Sequence, residues 1–253
     1  MGGSLTDSNP DIAPTVWLCR EPESDDPAIP QWLTAFEQAT VAAFNGIRRQ
    51  EYLCSRWLIR QALAGASGTA GAECRPVDGR PVCSDHPPGW HLSLSHSHGF
   101  SACAVSDTPG LGLDIEPRNR HPHWQKVVRR WFTPSEQAWL LDANDCEDFL
   151  KVWTLKEAWL KATGRGIAGN LQTLEITPDF QLIGDRSDES WMASSGQVGD
   201  FLLALVYHQS GHSLPSGSLL QTPGELFEAS QPARPIAPVD WLFHNPVNIR
   251  KQE

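Results

Sequence analysis

Helical and strand-like spacings of the hydrophobic residues alternate along the chain. The segments 31–63 and 145–163 repeat apolar residues at helical spacing, with Gly and Pro turns at several boundaries. Shorter apolar runs between and after them indicate strands. The predicted elements, in order, are a strand at 15–19, helix 31–63, strands 91–95, 99–106 and 110–116, helices 123–132, 134–142 and 145–163, and strands 172–177, 180–183 and 200–208.

The order of helices followed by strands occurs twice, and the division falls near the turn at 107–110. We therefore predict an α+β fold of two similar halves, an N-terminal half at 1–108 and a C-terminal half at 109–210. Residues 211–253 are rich in Pro, Gly and Ser and show little periodicity. This last segment is expected to be a peripheral tail.

Composition excludes several classes of protein. The 253 residues are enough for a full hydrophobic core, and no apolar run approaches the ~20 residues of a membrane span. A net charge of −10 argues against general nucleic-acid binding. The six cysteines contain no CxxC pair, and the N-terminus lacks the pattern of a signal peptide, so we expect a cytoplasmic protein with reduced thiols.

The strand 110–116 carries two acidic residues among apolar ones. Because successive side chains of a strand alternate between faces, Asp114 and Glu116 share one face. An isolated pair of this kind is usually a solvated edge. Acidic residues are disfavoured in strands, however, and this strand is otherwise apolar. Carboxylate oxygens are ligands that Mg²⁺ accepts while it bridges to phosphates, so a magnesium site is the working hypothesis.

The helix that follows carries Glu157 and Lys161 one turn apart on a common face. Taken alone, they form an ordinary surface ion pair. Trp153 and Trp159 border them, and Lys156 adjoins them, which indicates a partly buried site instead. A third carboxylate from this helix would complete the set on the strand.

Arginines mark a possible anion site. Arg49, Arg56 and Arg60 lie on one helical stripe, with Arg48 beside it, and guanidinium groups suit phosphates. The default interpretation is a solvated helix face. Arg80 lies in a predicted turn and could reach a ligand from the opposite side.

The stretch 91–98 contains three histidines, which invites a zinc hypothesis. His91 and His96 have opposite strand parity, and no neighbouring acid or cysteine completes a tetrahedral set, so zinc is the weaker alternative. Ser95 and His96, at the end of the strand, could instead donate hydrogen bonds to a phosphate.

The chain resembles the surfactin-type (Sfp-like) 4′-phosphopantetheinyl transferase family in its acidic strand and in the helix that carries Glu157 and Lys161. Its two hallmark motifs, G-[IV]-D-[IV]-E and [FW]-[SCT]-x-K-E-[AS]-x-x-K, stand here as 112–116 and 153–161. Supporting matches are Gly79-Arg80-Pro81, Leu94-Ser95-His96-Ser97, Phe132-Thr133-Pro134-Ser135-Glu136 and Gly164-Arg165-Gly166. The sequence departs from the pattern with Leu113 for Ile or Val, Ser93 for Asn and Arg80 for Lys.

The resemblance implies a pseudo-two-fold α+β monomer with its active site in the cleft between the halves. Such enzymes move the phosphopantetheine arm of coenzyme A onto a serine of an acyl or peptidyl carrier protein and release adenosine 3′,5′-bisphosphate. These carriers serve fatty acid, nonribosomal peptide or siderophore synthesis. A non-catalytic module that binds coenzyme A or a carrier protein is the alternative.

By the same resemblance, Asp114, Glu116 and Glu157 would hold Mg²⁺, and Lys161, with Lys156, would add positive charge. Either Glu157 or a water on the metal would be the base for the carrier serine. The residues implied in binding coenzyme A phosphates are Arg48, Arg49, Arg56, Arg80, Ser95 and His96. Since carrier proteins tend to be acidic, the basic segment 118–130 is expected to dock them.

Overall fold

A computed structural model describes residues 13–23, 27–186, 190–208, 213–224 and 227–249. The strands are β1 (Thr15–Arg20), β2 (Arg75–Pro76), β3 (Ser84–His86), β4 (His91–Ser97), β5 (Phe100–Ser106), β6 (Leu111–Pro117), β7 (Leu174–Ile176), β8 (Leu182–Gly184), β9 (Trp191–Val198), β10 (Phe201–His208), β11 (Ser216–Leu220), β12 (Pro235–Pro238) and β13 (Asp240–Ile249). The α-helices are α1 (Ala35–Ala42), α2 (Gly46–Ser67), α3 (Trp124–Trp131), α4 (Pro134–Ala143) and α5 (Cys146–Ala162).

Two large sheets contain most of the strands. The first has the order β12-β11-β1-β5-β4, the second has the order β6-β10-β9-β13-β8-β7, and β2 and β3 form a small separate ribbon. Helix α2 packs on the first sheet, and α5 packs on β6 and β10 of the second. Among the described helices, none combines the length and the apolar character that crossing a membrane requires.

The two halves share one topology. In the first, β1 leads through α2 to the hairpin of β4 and β5, and the three strands pair in the antiparallel order β1-β5-β4. In the second, β6 leads through α5 to the hairpin of β9 and β10, and the antiparallel order is β6-β10-β9. The predicted α+β fold of two similar halves is confirmed by this repeated strand–helix–hairpin unit.

The predicted helix 31–63 is two helices. Thr34 caps the first through a reciprocal bond with Glu37, and α2 starts after the break at 43–45. Glu37 forms an ion pair with Arg60, 2.6 Å away. Those residues are 23 positions apart, which in one straight helix would separate them by about 35 Å. The break folds α1 back onto α2, so this buried ion pair can form.

The segment after 211 adds strands to both sheets. Strand β11 pairs in parallel with β1, β12 pairs with β11, and β13 pairs with β9 and β8. The expectation of a peripheral tail is therefore corrected for 213–224 and 227–249, while 211–212, 225–226 and 250–253 lie outside the described residues. Strand β9 was also missed, since Met-Ala-Ser-Ser-Gly has a weak apolar pattern. The division of the halves at 108/109 remains a prediction.

The sheets meet where β4 of the first lies against β6 of the second. In this seam the Leu113 backbone N–H donates to Ser93 Oγ at 2.9 Å. On its other side β6 is covered by α5, at a glycine. A Cβ atom on Gly112 would lie 1.9 Å from the Ala158 carbonyl oxygen and 2.5 Å from the Ala162 nitrogen. Only glycine permits this approach, because both neighbours are backbone atoms that cannot rotate away.

We predict that Gly112→Ala lowers the free energy of unfolding by at least about 3 kcal/mol, since α5 must shift away from β6. Urea denaturation followed by tryptophan fluorescence measures this loss. Gly166→Ala is the matched control, because a Cβ there meets nothing within 4 Å, and it should change stability by less than about 0.5 kcal/mol. Equal effects of the two substitutions would contradict the close-packing argument.

Candidate active site

The seam gathers the acidic side chains of β6 against serines of β4. Asp114 and Glu116 are 7% and 8% exposed. Ser95 Oγ donates to Asp114 Oδ1 at 2.8 Å, and Ser97 Oγ donates to Glu116 Oε2 at 2.9 Å. The serines of β4 alternate at the same period of two as the acids of β6, so each carboxylate meets one hydroxyl.

Lys161 connects α5 to both strands of the seam. Its Nζ donates to Asp114 Oδ1 at 2.9 Å and to the carbonyl oxygens of Leu113, at 2.7 Å, and Leu94, at 3.3 Å. The ammonium group is thus held between the two halves by three acceptors. The predicted proximity of Lys161 to Asp114 is present in the structure.

Besides Ser97, Glu116 has a cationic partner that the sequence analysis did not predict. Arg120 Nη1 forms an ion pair with Glu116 Oε1 from the loop after β6. Burial raises the pKa of Glu116, and the Ser97 hydrogen bond and the Arg120 charge oppose that shift. The i,i+4 relation was visible in the sequence, but it indicates contact only in a helix.

Glu157 extends from α5 toward the two acids of β6. Its Oε1 atom is buried and has no hydrogen-bond partner. Burial raises the pKa of Glu157 to about 7, the negative charges of Asp114 and Glu116 add to the rise, and Lys161 opposes it. A carboxyl group with such a pKa can exchange a proton near neutral pH.

The donor chemistry of these side chains fits a divalent cation. Three carboxylates contribute oxygen ligands, and a cation would satisfy the orphaned Glu157 oxygen and relieve the repulsion among the acids. Across the described ranges, no group of three or more His, Cys, Asp or Glu is arranged as a metal-holding cluster. Asp114 and Glu116 instead face Lys161 and Arg120, so the predicted three-carboxylate set requires these pairs to rearrange.

A cleft of about 440 Å³ has Lys161, the partner of Asp114, in its wall, whereas Asp114, Glu116 and Glu157 lie outside its described walls. Its walls include Arg80, Ser93, Lys161 and His91, the last with a pKa lowered by burial. Arg80 is exposed, and its contact with a ligand stays a prediction. In the sequence analysis His91 was a candidate only for zinc. Among the described residues, no three His, Cys, Asp or Glu side chains are grouped so that they could hold a metal ion.

The arginines of α2 lie outside the walls of this cleft. Arg56 is 6% exposed, its guanidinium lies over the Tyr52 ring, and its Nε is 3.5 Å from Glu37. The predicted phosphate contact of Arg56 is corrected, because the side chain is buried beside Glu37 and outside the cleft walls, although its Nε and Nη1 atoms have no hydrogen-bond partner among the described residues. Arg48 stacks over Phe44, Arg49 donates to the Phe44 carbonyl oxygen, and neither is among the described walls of the cleft.

The prediction that Lys156 adds positive charge at the site is also corrected. It is fully buried, pairs with Glu136 at 2.7 Å, and donates to the carbonyl oxygens of Leu171 and Leu174. Consecutive residues of a helix point about 100° apart, so Lys156 enters the core where Glu157 enters the seam. Its place is the packing of α5 against α4 and β7.

The other predicted binding residues lie at the end of β4. Ser95 is buried and bonded to Asp114, whereas His96 is exposed and pairs across the sheet with Ser101. The exposed imidazole is accessible to a ligand. Because Ser95 donates to Asp114, it helps to orient that carboxylate and is also a candidate contact for a phosphate.

Comparison with known proteins identifies the family. The 4′-phosphopantetheinyl transferase superfamily profile matches residues 110–206. The 4′-phosphopantetheinyl transferase AcpT of Salmonella typhimurium is 31% identical over 53% of this chain and 68% of its own length. This chain belongs to the 4′-phosphopantetheinyl transferase superfamily.

Further relatives of the transferase carry the same name. HetI of Nostoc is 32% identical over 51% of this chain and 57% of its own length, and Sfp of Bacillus subtilis is 31% identical over 39% and 43%. The match to Sfp therefore spans less than half of either protein. The profile match contains β6 and α5, which include every carboxylate of the candidate site, and most of β10.

We predict that Glu157→Gln makes the metal-free transferase more stable at pH 8 by about 1–2 kcal/mol, a value discounted for partial solvent screening. The folded protein binds the Glu157 proton more tightly than the unfolded chain does. The cost of the charged form is therefore full above about pH 7 and disappears toward pH 4.5. Urea unfolding with a chelator at pH 8 and pH 5 measures the difference.

Glu147→Gln is the matched control on the same helix. Its hydrogen bond with Arg118 lowers the pKa of Glu147, so the charged form is stabilising and the substitution should lower stability at pH 8. A Glu157→Gln gain that is equal at both pH values would show that the proton on Glu157 is not its origin.

Proposed function

We propose that this protein transfers 4′-phosphopantetheine from coenzyme A to a serine of a carrier protein, in a reaction that needs Mg²⁺. The observation that carries the proposal is the convergence of Asp114, Glu116, Glu157 and Lys161 at the seam, beside a cleft of about 440 Å³. Family membership supports the transferred group and the two substrates.

Asp114, Glu116 and Glu157 would hold the magnesium ion. When bound, Mg²⁺ neutralises negative charge on the coenzyme pyrophosphate. Lys161 keeps a fixed positive charge next to Asp114. Arg80 and His96, both exposed, are the proposed contacts for the coenzyme phosphates, and Ser95, on the opposite face of β4 from His96, is a further candidate.

Glu157 is proposed to accept the proton of the carrier serine hydroxyl. The serine oxygen forms a bond to the phosphorus that bears pantetheine, and the bridging P–O bond breaks. Adenosine 3′,5′-bisphosphate leaves with the electron pair of that bond. Without the metal the pKa of Glu157 is about 7, so about half of its carboxyl groups are unprotonated at neutral pH. A bound cation would lower that pKa and increase the unprotonated fraction.

The direct test incubates the protein with coenzyme A, Mg²⁺ and a panel of apo acyl and peptidyl carrier proteins. We expect mass spectrometry to show the added phosphopantetheine on at least one carrier, and a chelator to abolish the gain. Binding of coenzyme A without any mass gain would favour the non-catalytic binding module instead.

Asp114→Asn and Glu157→Gln should each reduce the transfer rate by about 10³-fold or more while the fold is kept, since each removes a charge from the reacting centre. Asp148→Asn, on the same helix but paired with Lys151, is the matched control and should retain activity. Full activity of either site variant would remove that residue from the proposed centre.

The carrier is proposed to dock on α3, which starts eight residues after Glu116. Arg129 and Arg130 are exposed in its last turn, and Trp131 beside them is 40% exposed. Basic side chains around an exposed aromatic ring suit an acidic partner surface.

We predict that Arg129→Glu with Arg130→Glu raises the KM for the carrier about tenfold and leaves the KM for coenzyme A unchanged. Steady-state assays that vary each substrate separately measure the split. Arg234→Glu, at an exposed arginine in the loop between β11 and β12, is the charge-matched control for each single reversal, Arg129→Glu or Arg130→Glu. An equal rise for both substrates would place the effect outside carrier docking.

A further inference from the structure

Both carboxylate oxygens of Glu116 have protein partners. Ser97 donates to Oε2 at 2.9 Å, and the Arg120 guanidinium pairs with Oε1. The Glu116 side chain is only 10% exposed, so these contacts replace water at a buried acid. A divalent cation that uses Oε1 must compete with Arg120 for it.

The two cations of the site are held differently. The Lys161 side chain is 24% exposed and donates to three acceptors, which are one carbonyl oxygen on β4, one carbonyl oxygen on β6 and the Asp114 carboxylate. The Arg120 side chain is 38% exposed and pairs with Glu116 from a loop. Arg120 can therefore turn into solvent at lower cost, whereas release of Lys161 would break contacts that join the two halves.

The loop itself is anchored close to Arg120. Arg118 pairs with Glu147 at 2.7 Å and donates its backbone N–H to the Asp200 carbonyl oxygen at 2.8 Å. The Cys146 thiol donates to the Arg120 carbonyl oxygen at 3.4 Å. These anchors hold the backbone in place, so the Arg120 side chain can leave Glu116 without unfolding the loop.

We propose that Arg120 is a built-in counter-ion that occupies the Glu116 ligand position and that a divalent cation must displace. Arg120 thereby lowers the affinity of the site for the cation and keeps Glu116 paired when no cation is bound. The inference rests on the proposed function, since that function assigns Glu116 to the cation. It adds a residue that sets cation affinity.

Binding of Mn²⁺ alone, followed by the electron paramagnetic resonance signal of the free ion, tests this directly. We expect Arg120→Gln to bind Mn²⁺ about three- to tenfold more tightly than the wild type, because the competing charge is gone. Arg118→Gln removes one positive charge two residues away, where the partner is Glu147, and should change the affinity less than twofold.

The outcomes separate this inference from the proposed function. A wild-type protein that binds no Mn²⁺, with both variants equally inactive in binding, would overturn the cation assignment itself. Two results would overturn the role of Arg120 only, provided that the wild type binds Mn²⁺. In the first, Arg120→Gln binds Mn²⁺ no more tightly than the wild type. In the second, Arg120→Gln and Arg118→Gln gain equally in affinity. Thermal unfolding checks the fold, and if Arg120→Gln does not fold, Arg120→Met takes its place, since it removes the same charge and the same direction is expected.

Discussion

The close packing of α5 on β6 at Gly112 is the constraint on which the site depends. The helix backbone approaches the strand where a Cβ atom would lie 1.9 Å from the Ala158 carbonyl oxygen. At that separation Lys161 reaches the Leu113 carbonyl oxygen and Asp114, and Glu157 interacts with the same acids. A larger residue at 112 would move the helix, and the two motifs would no longer form one site.

The same packing creates an electrostatic problem. Asp114, Glu116 and Glu157 are brought together with little access to water, where like charges repel strongly. Three features reduce this repulsion. Lys161 pairs with Asp114, Arg120 pairs with Glu116, and the raised pKa of Glu157 lets that carboxyl group keep its proton up to about neutral pH. One carboxyl group thus remains without a counter-ion of its own, and its buried oxygen is orphaned. Such a site is suited to a multivalent cation, and neutral pH lies close to the titration of its third acid.

The site motifs were predictable because each is set by a local period. The alternation of a strand places Asp114 with Glu116, and one helical turn places Glu157 with Lys161. Arg56 and Lys156 were assigned wrongly because their directions depend on Glu37 and Glu136, acids from other elements.

The pairing of strands that are distant in the sequence was not predicted, for the same reason. Strand β11 pairs with β1, about 200 residues earlier, and no pattern within a Pro- and Ser-rich segment specifies that partner. The α+β class and the repeated order of elements were recoverable, since they follow from elements that are individually amphipathic.

The distribution of the site between the halves explains why a match to residues 110–206 captures only part of it. The carboxylates and Lys161 come from β6 and α5, inside that segment. Ser95 and Ser97, which orient two of the acids, come from β4 of the first half, as do walls of the cleft. Lys161 also bonds the Leu94 carbonyl oxygen, so the ammonium position depends on both halves. Neither half alone contains a complete site: the carboxylates and Lys161 lie in the second, while Arg80 and the serines that bond the acids lie in the first.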